Sequence, residues 1–244
     1  RVVETGIEGN LAKAEKQSLV YTKREAEELV YNKVIVPRAG EYSLTLSDGT
    51  RIWLNSDSEI RYPVAFGKER RTVFLSGEAY FEVEKDAERP FYVVLDGMEV
   101  KVYGTSFNVN THYQGKILTT LVEGKVGIRV KSTGAESILQ PNQMAEFNCE
   151  KEEVEVTDVD TYYYTAWRAG EFVFQNETIE EIMDRLCRWY DTEVFYANDD
   201  VRGKRFTGII AHFTDVADVL HLIGETATVQ FDLKGDVITV SDLK

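Results

Sequence analysis

The residues that could do chemistry are few, and their spacing serves chemistry poorly. Nucleophilic hydrolysis needs a Ser or Cys elbow backed by His and an acid. Gly104-Thr105-Ser106-Phe107-Asn108 lacks the second glycine of such an elbow and reads as a bend between Val102 and Val109. His112, His212 and His221 contain no pair at helical ligand spacing, and His221 lies beside a helical apolar stripe, so they read as ordinary surface or half-buried histidines. Asp158/Asp160 and Asp199/Asp200 are too isolated for a calcium loop. Glu78, Glu82 and Glu84 fall along one strand and cannot face each other across a sugar bond. With no P-loop and no G-x-G-x-x-G, the expectation is no catalytic residue, no cofactor, no metal and no enzyme.

Charge narrows the partners. A formal net charge of −14 argues against duplex nucleic acid and against an anionic membrane surface. Lys68-Glu69-Arg70-Arg71 and Arg202-Gly203-Lys204-Arg205 are short basic runs, read as solvated turn charges, with the second a possible electrostatic docking point. Tyr162–Tyr164 and Trp167 could stack on sugars, but domain packing is the commoner use of such aromatics. Cys149 and Cys187 show no framework spacing, and whether they bridge is left open.

These residues need elements to position them. Residues 1–33 are polar and helix-compatible, a stalk or lead-in, with apolar patches at Leu19-Val20-Tyr21 and Leu29-Val30-Tyr31. From Val34 the hydrophobic period becomes two. Alternating runs flank Asp48-Gly49, Ser76-Gly77, Asp96-Gly97 and Glu123-Gly124, which read as four hairpins and hence an all-β, antiparallel sandwich over 34–150. Residues 151–166 are expected to form an ordered connection.

From residue 167 to 244 the pattern changes to β-α-β-β-α-β-β, a small α+β unit. Phe172 and Phe174 form its first strand. Asn176 is a natural N-cap, with Thr178 and Glu181 offering a capping box for a helix carrying Ile179, Ile182, Met183 and Leu186. Asp215 caps a second helix, which Gly224 should stop.

Several motifs occur in order. Leu46-Ser-Asp-Gly-Thr-Arg-Ile-Trp-Leu-Asn-Ser56, Leu75-Ser-Gly-Glu-Ala-Tyr-Phe-Glu-Val83, Pro90-Phe91-Tyr-Val, Val102-Tyr-Gly-Thr-Ser-Phe-Asn-Val109 and Leu121-Val-Glu-Gly-Lys-Val126 resemble the FecR family of anti-sigma regulators. Pro141-Asn-Gln143 departs from the Pro-Gly-Gln usual there. The region from Trp167 onward is similar to the domain that often follows FecR, and more weakly to the short N-terminal signalling domain of secretins and TonB-dependent transporters.

The resemblance implies a periplasmic domain of an inner-membrane protein anchored by one helix, both helix and cytoplasmic segment being absent here. Its implied partners are the signalling domain of a TonB-dependent outer-membrane transporter and, through the cytoplasmic segment, an extracytoplasmic-function sigma factor. Docking is expected by strand addition to the C-terminal unit. One edge would carry Arg205, Phe206, Thr207 and Ile209, and an alternative edge would carry Phe231 and the strand Val237–Val240. A competing expectation is a carbohydrate-binding or adhesive β-sandwich using Trp53, Tyr80, Tyr162–Tyr164 and Trp167.

Overall fold

The computed structural model describes residues 3–5, 12–15, 18–21, 30–212, 215–226 and 228–243, which divide into two compact units at Thr161/Tyr162. The first unit is built from two sheets. One has, in spatial order, Val3–Thr5, Tyr31–Val36, Ser58–Pro63, Arg71–Ser76, Phe91–Val94, Met98–Val102, Val126–Val130 and Glu136–Leu139. The other runs Glu153–Asp158, Gln143–Asn148, Lys116–Glu123, Ser106–Asn110, Glu78–Glu82, Arg51–Leu54, Tyr42–Thr45, Ser18–Tyr21 and Ala12–Glu15. Alternation along the strands turns Val34, Ile60, Val73, Val93, Val100 and Ile128 of the first sheet inward, where they meet Leu44, Ile52, Phe81, Phe107 and Phe147 of the second in one core. Phe81 and Phe107 stack at its centre with ring centroids 5.0 Å apart.

Two of the four expected hairpins are hairpins: Tyr42–Thr45 with Arg51–Leu54, and Phe91–Val94 with Met98–Val102. The other two are corners. At Gly77 the chain leaves the first sheet for the second, and at Gly124 it returns. Gly77 shows why the residue type is the same while the topology differs. Its φ is 103°, and a Cβ there would lie 2.4 Å from Ser58 Oγ and 2.6 Å from Ser58 Cα. Glycine is required by both the backbone and the close approach of another strand, and neither is legible from alternation.

The lead-in differs from its helix-compatible reading. Its described segments Val3–Thr5, Ala12–Glu15 and Ser18–Tyr21 are strands that join the two sheets, where unpaired edges supply partners that local propensity does not anticipate. The remaining residues of that reading before Val30 lie outside the described residues. Residues 151–166, expected as an ordered connection, contain a strand and a helical turn. Glu153–Asp158 pairs along its length with Gln143–Asn148, and Tyr162–Thr165 is a helical turn followed by a 3-10 turn at Ala166–Ala169. Asn142 adopts φ 65°, the left-handed conformation a glycine takes most easily, and asparagine is among the few other residues that tolerate it.

The second unit follows the expected β-α-β-β-α-β-β order. Glu171–Thr178 pairs with Arg205–Ala211 in a two-stranded sheet. Val237–Asp242 lies between Glu193–Tyr196, parallel to it, and Val229–Lys234, antiparallel to it. The helices Ile179–Tyr190 and Val216–Thr226 contribute Ile182, Met183, Leu186, Val219 and Ile223 to a second core with Phe172, Phe174, Ile238 and Val240. Thr178 is the N-cap of the first helix, in a full capping box with Glu181; Asn176 instead sits in the irregular register between Phe174 and Glu177, with φ 53°. Asp215 caps the second helix, its Oδ1 accepting from the Ala217 N–H at 2.9 Å. That helix continues past Gly224 to Thr226. Glycine permits a stop without forcing one, and burial of Ile223 outweighs its cost of about 1 kcal/mol.

Candidate partner-binding site

The polar residues of the sequence motifs are absorbed into the architecture of the first unit. Arg71, expected to be a solvated turn charge, is fully buried while Lys68, Glu69 and Arg70 beside it are exposed. It sits opposite Phe91 in a parallel strand pair, which places its guanidinium inside the sandwich over the Phe91 ring at 5.5 Å. There Nη1 donates to Asp48 Oδ2 at 2.7 Å and to the Glu84 carbonyl at 2.8 Å, and Nε donates to the Arg89 carbonyl at 3.0 Å. Asp48 also accepts from the Thr50 N–H and hydroxyl at 3.0 and 2.7 Å. Glu78 is buried and accepts from Asn55 Nδ2 at 2.7 Å and Asn108 Nδ2 at 2.9 Å, tying three motifs together. These are polar joints between strands, in which one buried nitrogen, Arg71 Nη2, has no hydrogen-bond partner among the described residues.

The histidines and cysteines are dispersed. Among the described residues no group of three or more His, Cys, Asp or Glu is placed to hold a metal ion. Cys149 is exposed and Cys187 buried, both as free thiols. His212 lies between the rings of Phe172 and Trp189, each 4.0 Å away by centroid. Burial, reinforced by the nearby Arg185 charge, lowers its pKa to about 4. The aromatics proposed for sugar stacking do not form a platform. Tyr80 and Trp167 are buried, and Trp53 packs edge-on to Tyr80 at 6.0 Å, leaving only Tyr162 of the set exposed.

The second basic run is also internally paired. Arg202 binds Glu180 at 2.6 Å and Asp199 at 3.2 Å and covers the Tyr196 ring at 3.9 Å. Lys204 pairs with Asp242 and donates to the Thr228 carbonyl at 2.6 Å. Little of this charge is left over for a partner.

The expected edges separate cleanly. Arg205–Ala211 pairs, among the described residues, only with Glu171–Thr178, so its other side is an open edge. Arg205, Thr207 and Ile209 alternate outward, Ile209 with 61% exposure, whereas Phe206 turns inward against Phe174 at 5.9 Å. Thr207 Oγ1 accepts from the Asn176 N–H at 2.9 Å, and Arg205 donates to the Asn176 carbonyl, fixing this strand against the irregular stretch of its neighbour. Phe231 lies on a true edge, Val229–Lys234, half-buried against the core.

Val237–Val240 is not an edge. The strand holding it is the central one of its sheet, and Val240 and Ile238 are fully buried. Being last in the sequence suggested an edge, but the parallel crossover from Glu193–Tyr196 puts it in the middle. That crossover leaves an outer edge which the sequence reading missed, Glu193–Tyr196, with Phe195 61% exposed. The sequence marks Glu193–Tyr196 as a strand through its run of Val194, Phe195 and Tyr196, but nothing in it marks the strand as an edge.

A family model described as FecR protein matches residues 32–127, and one described as FecR, C-terminal, matches residues 171–240. Two solved structures of a candidate anti-sigma factor from Parabacteroides distasonis ATCC 8503 superpose on the chain, each with a TM-score of 0.79 and 27% identity. The alignments cover 87% and 88% of this chain and 99% and 100% of those chains. No curated protein matches.

Proposed function

Because this chain belongs to the FecR family, we propose that it is the signal-receiving, extracytoplasmic part of an anti-sigma regulator and has no catalytic role. Its full-length form is an inner-membrane protein whose periplasmic part meets the signalling domain of a TonB-dependent outer-membrane transporter. Its cytoplasmic segment controls an extracytoplasmic-function sigma factor. The β unit is scaffold, and the α+β unit is the docking element. The observation that carries this reading is the strand Arg205–Ala211, paired on one side among the described residues and presenting Thr207 and Ile209 outward. A partner strand added there gains main-chain hydrogen bonds without any reactive group, and the outward side chains select it.

The test is transcription from a sigma-dependent reporter in cells carrying the full-length regulator. Ile209→Arg should abolish induction through the transporter while leaving uninduced expression low, because restraint of the sigma factor resides elsewhere. Normal induction in this variant would remove the edge from the mechanism.

A further inference from the structure

On the outer face of the first sheet, Tyr92, Lys101, Gly127 and Ile138 stand opposite one another on four successive strands. Their neighbours Val93, Val100, Val102, Ile128 and Leu139 are buried, so this row faces outward. Gly127 has no conformational reason to be glycine. Its backbone is not left-handed, and a Cβ there would meet the Lys101 carbonyl oxygen at 3.7 Å and the Lys101 Cβ at 4.0 Å, both ordinary contacts. A glycine inside a strand often marks a bulge, a tight bend or the close approach of a ligand or another backbone, and the register at Gly127 is regular on both sides. Here it forms the floor of an open groove of about 570 Å³, a volume typical of ligand sites.

The walls are chemically specific. Tyr103 and Ile138, 46% and 55% exposed, both line it, an aromatic ring and an apolar side chain open to an occupant. The Lys101 ammonium is held 5.9 Å from the Tyr92 centroid and 5.3 Å from that of Tyr103. Glu99 is engaged by Arg129 at 3.7 Å, whereas Lys101 and Lys125 form no ion pair among the described residues. Lys101, Lys125 and Arg129 thus face Glu99 and Glu136 across the lining, a net charge of +1 at this groove in a chain of net charge −14. The strands Met98–Val102 and Val126–Val130 beneath it are paired on both sides, so an occupant is recognised by side chains and not by strand addition.

We infer that this groove binds a short acidic oligosaccharide, with a sugar ring lying over Gly127 against Tyr103 and a carboxylate reaching Lys101. Aromatic faces receive the apolar face of such a ring, and a charge-assisted hydrogen bond fixes the carboxylate. The inference is independent of the docking edge in the other unit.

Calorimetric titration of the chain with tetragalacturonate, maltotetraose and tetraglutamate tests it. Saturable binding of tetragalacturonate is expected below about 1 mM, weakened at least tenfold by Gly127→Val, Tyr103→Ala and Lys101→Gln. Gly127→Val fills the groove with a strand-favouring residue, so its thermal midpoint should not fall. Unchanged affinity in Gly127→Val overturns the site, as does absence of binding. Equal affinity for maltotetraose overturns the acidic ligand, and preference for tetraglutamate shifts the site to a protein partner.

Discussion

Arg71 and Asp48 form an ion pair at 2.7 Å in which the side chains are 0% and 6% exposed, braced by Thr50 and by the Glu84 and Arg89 carbonyls. The pair joins the first strand of the parallel pairing to the turn of the first hairpin. It explains how the motif that contains Ser47-Asp48-Gly49 serves the fold.

Breaking one side of this pair leaves a buried charge uncompensated. Asp48→Ala and Arg71→Ala should each cost about 3–5 kcal/mol in denaturant unfolding of the β unit. The double variant should cost clearly less than the sum of the two. Additive losses would show that the charges do not act together.

The corner at Gly77 predicts a sharp contrast with an open glycine. Gly77→Ala meets Ser58 at 2.4–2.6 Å from a backbone with φ of 103°, and should destabilise by more than about 2 kcal/mol. Gly67→Ala has no atom within 4 Å and no left-handed backbone, and should be neutral or slightly stabilising. Chemical denaturation of the two variants side by side decides this.

His212 links the C-terminal unit to pH. Its pKa is about 4 when folded, against about 6.5 for an unperturbed histidine. The unfolded chain therefore binds the proton first. The contribution of neutral His212 is intact above about pH 6.5, falls as the pH drops towards 4, and is flat below that. The total loss is at most about 3 kcal/mol. His212→Phe, which keeps a ring between Phe172 and Trp189, should flatten this part of the stability profile between pH 6.5 and 4. Parallel profiles for the two proteins would show that the buried imidazole is not responsible.

Thr178 and Glu181 satisfy each other's backbone donors at the start of the helix Ile179–Tyr190. Thr178→Ala should cost about 1 kcal/mol, read as a lower unfolding midpoint of the C-terminal unit. No change would mean that packing of Ile182 and Leu186 alone sets the helix start.

Much of the fold was legible because it is local. Period-two alternation gave the strands, Asp48-Gly49 and Asp96-Gly97 gave two hairpins, and Thr178-x-x-Glu181 gave a helix start. What escaped depends on contacts distant in the chain. Gly77 and Gly124 look like hairpin glycines until the strands around them are assigned to different sheets. Burial of Arg71 follows from a parallel pairing that no local pattern announces. The expected docking residues were split by topology: Thr207 and Ile209 lie outward on an open edge, Phe206 turns inward, and Val240 lies in the core of a central strand. The groove over Gly127 could not be foreseen, since it exists only through cross-strand register.

The most direct test of the signal-receiver account is calorimetric titration of this chain with the isolated signalling domain of the transporter encoded nearest to it. Saturable binding at micromolar concentration or tighter, lost in Ile209→Arg and retained in Gly127→Val, is the predicted result. No heat of binding at about millimolar concentrations, or equal binding by Ile209→Arg, would contradict docking on the edge of Arg205–Ala211.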